Sequence, residues 1–249
     1  MREVIVGSGQ ATKYAHVLVG GKISSGKTSF GASAPRPLFF ADVAEGGFKV
    51  LEKLDRRLLW DSKVLPTVWA MENMLDYPKY LGMLFEMVQK GTLKWGTLIF
   101  DSLSIYSQRV LRELKDKNPG QDGRQRYGDL GDAISSLVFK IHTLPMHVIW
   151  LCHTDDEDQL TVGGKAAAAA WAYMDSKFLV RVDIQGPKIN YQMHTKPFRR
   201  ATWIGSRGPE LPDPMIPSFK YLAAWLGLPE KPVSPALPPF NGVEYWNGL

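Results

Sequence analysis

The sequence predicts an α/β fold, a doubly wound and mostly parallel sheet with a C-terminal antiparallel extension. Three observations carry that prediction. Short, nearly continuous apolar runs recur up to Cys152, the texture of strands buried on both faces. Between them lie longer segments whose apolar residues are spaced near 3.6, as on helices packed against a sheet. Beyond Cys152 the texture changes to two strand-like runs about a tight turn.

Taken in order, the expected parallel strands are His16–Gly20, Pro37–Ala41, Val64–Trp69, Thr97–Asp101 and Met146–Cys152. The helical patterns between them are "KVLEKLDRRLLWD", "DYPKYLGMLFEMVQKG", "SLSIYSQRVLRELKDK" and "YGDLGDAISSLVFKIHTL". Strand–helix alternation of this kind implies right-handed βαβ units. Arg124 and Arg126, in "GQDGRQRYG", fall in a glycine-flanked polar loop, either solvated or in contact with a polyanion. "HTDDEDQLTVGGKAAAAAWAYMD" reads as a polar loop followed by a small-residue segment. "KFLVRVDIQGPKINYQMHTK" supplies two strands around "QGPK", and "SFKYLAAWLG" a short amphipathic helix ended by Gly227. Residues 1–227 are expected to form one core, and the proline-rich residues 228–249 an extended tail.

The chain has 249 residues, a formal charge of +5 and one cysteine. A single cysteine excludes an internal disulfide framework and fits a reducing compartment. No apolar run approaches the roughly 20 residues of a membrane span, and no secretory signal pattern is present. The expectation is a cytoplasmic protein without a membrane partner. A mild basic excess suits a polyanionic partner without demanding one.

The residues that bear chemistry begin at Gly21. Gly21-Lys22-Ile23-Ser24-Ser25-Gly26-Lys27-Thr28 fits G-x-x-x-x-G-K-[ST], the P-loop, directly after an apolar strand. Glycines there let the backbone fold so that successive N–H groups face phosphate oxygens, and a following helix adds its positive end. Lys27 is expected to reach the β- and γ-phosphates of ATP and the Thr28 hydroxyl to ligate Mg²⁺, with Ser29 completing the nucleotide-binding run. "WGTLIFDSLS" supplies the second metal position, an apolar strand ending in Asp101. "PLFFADVAEGG" places Asp42 and Glu45 near the same sheet edge, where open α/β sheets bind ligands. Either carboxylate would polarise the attacking water; Glu45 is the preferred base and Asp42 the alternative.

From Ala15 to Gly205 this order of motifs resembles the RecA-type P-loop ATPases. It looks most like the short, core-only RecA-like proteins of bacteriophages that act in single-strand annealing and recombination. The resemblance rests on the P-loop, the acidic cluster with "EGG", "LIFDSLS", "HVIWLCH", and a "GG" segment leading into "KFLVRVDI". It implies that Glu45 activates water and that His153 senses the γ-phosphate. It further implies that Thr154 to Ala170 is a mobile DNA-contacting loop, with Lys165 on it, and that Lys196 caps the nucleotide of a neighbouring subunit. The implied activity is a DNA-stimulated ATPase that binds single-stranded DNA as a homo-oligomer, ring or filament, with a single-strand-binding protein as a further partner. Two departures stand out: two residues separate Asp42 from Glu45 where the family commonly has one, and "DDED" is an acidic start for a DNA loop. The alternatives are a helicase-like or replication accessory ATPase and a small-molecule kinase.

Overall fold

The computed structural model describes residues 14–35, 37–43, 67–70, 77–93, 95–162, 171–185, 188–226 and 228. Glu45, the "KVLEKLDRRLLWD" segment, Lys165 with the alanine run, and the tail beyond Leu228 lie outside the described residues. The elements are β1 (His16–Gly21), α1 (Lys27–Ala32), β2 (Leu38–Asp42), β3 (Thr67–Ala70), α2 (Tyr77–Gln89), β4 (Thr97–Asp101), α3 (Leu103–Lys117), α4 (Gly123–His142), β5 (His147–His153), β6 (Ser176–Gln185), β7 (Lys188–His194), β8 (Gly205–Ser206) and α5 (Phe219–Trp225). Among the described residues they form one eight-stranded sheet in the order β3-β2-β4-β5-β1-β6-β7, with β8 paired to β6. The pairs from β3 to β6 are parallel; β6–β7 and β6–β8 are antiparallel. This is the RecA-like P-loop NTPase arrangement that the sequence predicts, extension included.

Side-chain alternation explains why the strands read as continuous apolar runs. On β5, Val148, Trp150 and Cys152 face a core layer shared with Leu130, Ile134, Leu137, Val138 and Ile141 of α4. Ile149 and Leu151 face the opposite layer, shared with Phe30 of α1 and Phe219 and Leu222 of α5. Both faces are therefore covered, and both phases of the strand must be apolar. Phe30 is fully buried and pins the P-loop helix to the sheet; truncating such a phenylalanine costs about 3–5 kcal/mol.

The strands end later than the sequence suggests. β2 runs on to Asp42 and β5 to His153, because each of these residues still has a strand partner: Asp42 opposite Asp101, and His153 opposite Gly21. α4 also starts earlier than expected, at Gly123 rather than in the run opened by Tyr127. The Asp122 side chain caps it by accepting from the Arg124 amide at 3.3 Å, so Arg124 and Arg126 lie on the first helical turn and not in a loop. Leu228, expected to open the extended tail, is buried against the α1–α5 layer. No helix among the described residues is long and apolar enough to cross a membrane.

Candidate functional site

β1 is buried along its whole length and delivers the chain to the loop at its carboxyl end. Gly21 begins the turn where no side chain fits: a Cβ there would lie 2.4 Å from Ser25 Oγ and 2.5 Å from the Val180 carbonyl of β6. Ser24 and Gly26 both take left-handed conformations, with φ of 62° and 96°. Alternation of this kind curls successive amides into an anion-binding concavity. Ile23, at the tip, is exposed. The Phe30 amide then bonds the Gly26 carbonyl at 3.0 Å and starts α1. With only six residues, α1 adds little dipole of its own; the curled loop does most of the work.

Lys27 is 6% exposed, and its ammonium folds back to donate to the Gly21 and Lys22 carbonyls at 2.9 and 2.7 Å. Its cation thus lies inside the loop it is expected to serve. The Thr28 hydroxyl donates to Asp101 Oδ2 at 2.9 Å, so the two residues expected to hold the metal are brought together from separate motifs. The P-loop and the carboxylates meet because of strand order: β5 separates β1 from β4, and β2 follows β4. Asp42 and Asp101 are register partners, both buried, and share the face of Phe40 and Ile99, the α1 side of the sheet. His153 ends β5 between them and the loop, on the face of Ile149 and Leu151.

The residues present fit a triphosphate and a hard cation. Ser25 Oγ is buried in the loop without a hydrogen-bond partner among the described residues, the kind of group a phosphate oxygen satisfies. A hydroxyl and a carboxylate side by side are the oxygen donors that Mg²⁺ takes. Mg²⁺ held there would supply positive charge against that developing on the phosphates. Gly21 to Ser29 would form the cradle, and Thr28 and Asp101 would hold the cation.

Three features escape the sequence reading. Ser104, on the first turn of α3, accepts from the His153 amide at 2.9 Å and lies 3.0 Å from the Thr161 hydroxyl. The Thr161 amide in turn donates to the His153 carbonyl at 3.0 Å. Residues 154–160, where the expected DNA-contacting loop starts, form a tight hairpin bridged at Thr154 and Leu160. Its acidic side chains pair with basic residues from elsewhere in the chain. Asp156 takes Lys22 of the P-loop at 2.7 Å, Asp158 takes Arg181 of β6 at 3.0 Å, and Glu157 takes Arg200. The Trp203 indole also donates to the Asp158 carbonyl. The hydrogen-bonded Lys22 ammonium holds the Asp156 carboxyl below the usual range. Finally, Tyr191 of β7 lies against Gly26, which no spacing in the sequence foretells. Periodicity places Tyr191 on a face but says nothing of which loop that face meets.

Other candidates are placed less centrally. Lys196 is exposed and pairs with Glu210 at 2.5 Å, which raises its pKa. Cys152 is fully buried; that burial pushes its thiol pKa up and leaves it chemically inert.

Residues 13–182 match the family described as "AAA domain". No curated protein sequence matches the chain. Among solved structures it is similar to a KaiC-like protein of the hyperthermophilic archaeon Pyrococcus horikoshii. That match has 12% identity and a TM-score of 0.42, covering 72% of this chain and 77% of the other. It is also similar to a prototypical ATPase from the type III secretion system of pathogenic bacteria, at 13% identity and a TM-score of 0.49. The match covers 78% of this chain but spans little more than half, 57%, of that ATPase.

Proposed function

The chain belongs to the AAA domain family and is a P-loop ATPase, and from that premise we propose that it couples ATP hydrolysis to binding of single-stranded DNA in annealing or recombination. The proposal extends to a homo-oligomer, as in the short RecA-like proteins of bacteriophages. The observation that carries it is the hydrogen-bonded chain from His153 through Ser104 to Thr161. It ties the strand end beside the P-loop to the segment leading toward the proposed DNA-contacting residues.

In this reading Lys27 exchanges the Gly21 and Lys22 carbonyls for phosphate oxygens, which costs little because the ammonium already sits inside the loop. Glu45, or Asp42 in its place, takes the proton of a water whose oxygen attacks the γ-phosphorus as the bond to ADP breaks. His153 bonds the γ-phosphate before hydrolysis and loses that partner after it. A two-position strand end of this kind biases the attached segment between two conformations. The net +5 charge supports contact with a nucleic-acid backbone, with affinity that falls with salt.

The test is ATP turnover with and without single-stranded DNA across a salt series, with Lys27→Ala as the inactive control. Stimulation that fades with salt is expected. For the coupling, DNA affinity is measured with a non-hydrolysable ATP analogue and with ADP. His153→Ala should bind ATP nearly as wild type yet lose the difference between the two states, and by reciprocity DNA should no longer tighten ATP binding. Stimulation by duplex or forked DNA alone would favour a helicase-like ATPase. No response to any DNA, with phosphate passed to a metabolite, would favour a kinase.

A further inference from the structure

The β6–β7 hairpin carries an exposed apolar stripe. Ile184, Ile189 and Tyr191 are 69%, 59% and 48% exposed. Cross-strand register makes them neighbours: Ile184 faces Ile189, and Val182 faces Tyr191. Two residues back along the same face, Val180 and Met193 are fully buried in the layer that holds Phe30 of α1. The stripe is therefore the continuation of the α1 side of the sheet, past the point where α1 covers it. Scattered exposed apolar residues need no explanation. Three of them on one face of a hairpin, one touching a phosphate-binding glycine, do.

The contact is close. A Cβ on Gly26 would meet Tyr191 Cδ1 at 3.0 Å and Cε1 at 3.4 Å, so the ring lies over the last glycine of the P-loop. The direction of a bound nucleotide follows from strand order. Its terminal phosphate belongs with Thr28 and Asp101, on the β5–β4 side of β1. The rest of the molecule then leaves the loop on the opposite side of β1, where β6 and β7 stand.

We propose that Tyr191, flanked by Ile189 and Ile184, is the platform on which the nucleobase of the bound nucleotide stacks. An exposed phenol ring beside the loop gives a base a flat, apolar partner, and stacking of this kind accepts any base because every base has a π-face. The platform recognises the nucleoside end of the ligand, whereas the loop recognises the phosphates. The inference rests on the P-loop reading of Gly21 to Thr28.

The experiment compares calorimetric binding of ATP, ADP and inorganic tripolyphosphate to the wild type, Tyr191→Ala and Tyr191→Phe, each confirmed folded by its thermal transition. Tyr191→Ala should weaken ATP and ADP by about 5- to 150-fold, the range for losing one stacking side chain. Tripolyphosphate, which has no base, should bind all three proteins alike, and Tyr191→Phe should restore nucleotide affinity. Equal weakening of ATP and tripolyphosphate would make Tyr191 a prop for the loop and overturn the proposal, as would unchanged ATP affinity. Wild-type protein that binds tripolyphosphate as tightly as ATP would also overturn it, leaving the P-loop intact. Binding of neither would overturn the P-loop reading itself, and the platform with it.

Discussion

Replacing Gly26 by alanine adds one carbon at a left-handed point of the P-loop, and the structure separates its two costs. The first is backbone conformation. Gly26 sits at a φ of 96°, where a Cβ costs about 1–2 kcal/mol. Against this, alanine restricts the unfolded chain and returns about 0.4–1 kcal/mol. The second cost is the Tyr191 ring, 3.0 Å from the new carbon. That ring is half exposed and can swing outward, so its share is small. The net loss is about 1 kcal/mol, or about 2–4 °C in Tm for a chain of this size. The assay is thermal unfolding by circular dichroism without nucleotide, in the wild-type and Tyr191→Ala backgrounds. The loss should persist in both, since backbone conformation causes most of it. An unchanged Tm, or a loss that vanishes without Tyr191, would refute the argument.

Glu45→Gln should retain MgATP affinity and lose turnover by about 10²-fold or more, the scale of general-base catalysis. If Asp42→Asn shows that pattern in single-turnover assays and Glu45→Gln does not, Asp42 is the base. Stability should also fall with acid well before the carboxylates titrate. Burial first, then the nearby His142 and His147, lower the pKa of His16 to about 3, and burial lowers that of His147 to about 4. Both folded values lie below the unfolded value near 6.5. Their stabilisation is therefore complete above about pH 6.5 and is lost below it, at about 1.4 kcal/mol per pH unit for each histidine. Urea midpoints at pH 6.5, 5.8 and 5 should show this slope. His147→Gln, whose amide oxygen can still accept from the Ala15 N–H that His147 Nδ1 now binds at 3.0 Å, should remove one proton's share. A flat profile over that window would refute the assignment.

The P-loop, Asp101 and the buried parallel strands were legible because each is written locally. A glycine-rich turn between an apolar strand and a helix admits few readings, and a buried parallel strand must be apolar in both phases. Ser102 even marks the start of α3, where its hydroxyl accepts from the Ile105 amide at 3.3 Å. The acidic hairpin was not legible. Residues 155–158 look unsuited to a polyanion-binding surface until Lys22, Arg181 and Arg200 are seen to engage them from distant parts of the chain. The start of α4 was missed for a local reason: the glycines around "GRQRYG" suggest a loop, and the capping Asp122 outweighs them. Tyr191 was invisible because its significance lies in a contact 165 residues away from Gly26 in the chain, and no period encodes it.

The bond between Ser104 and position 153 uses the main chain of residue 153, not its side chain. The joint is thus made without the imidazole. Replacing the imidazole keeps the main-chain N–H that the joint uses. At position 104 the side chain itself makes the joint. It is fully buried, and its hydroxyl serves both the strand end and Thr161, so a larger residue has no room and a smaller one leaves the His153 N–H unsatisfied. Truncating residue 104 therefore breaks the joint, whereas a side-chain change at residue 153 leaves its main-chain donor in place.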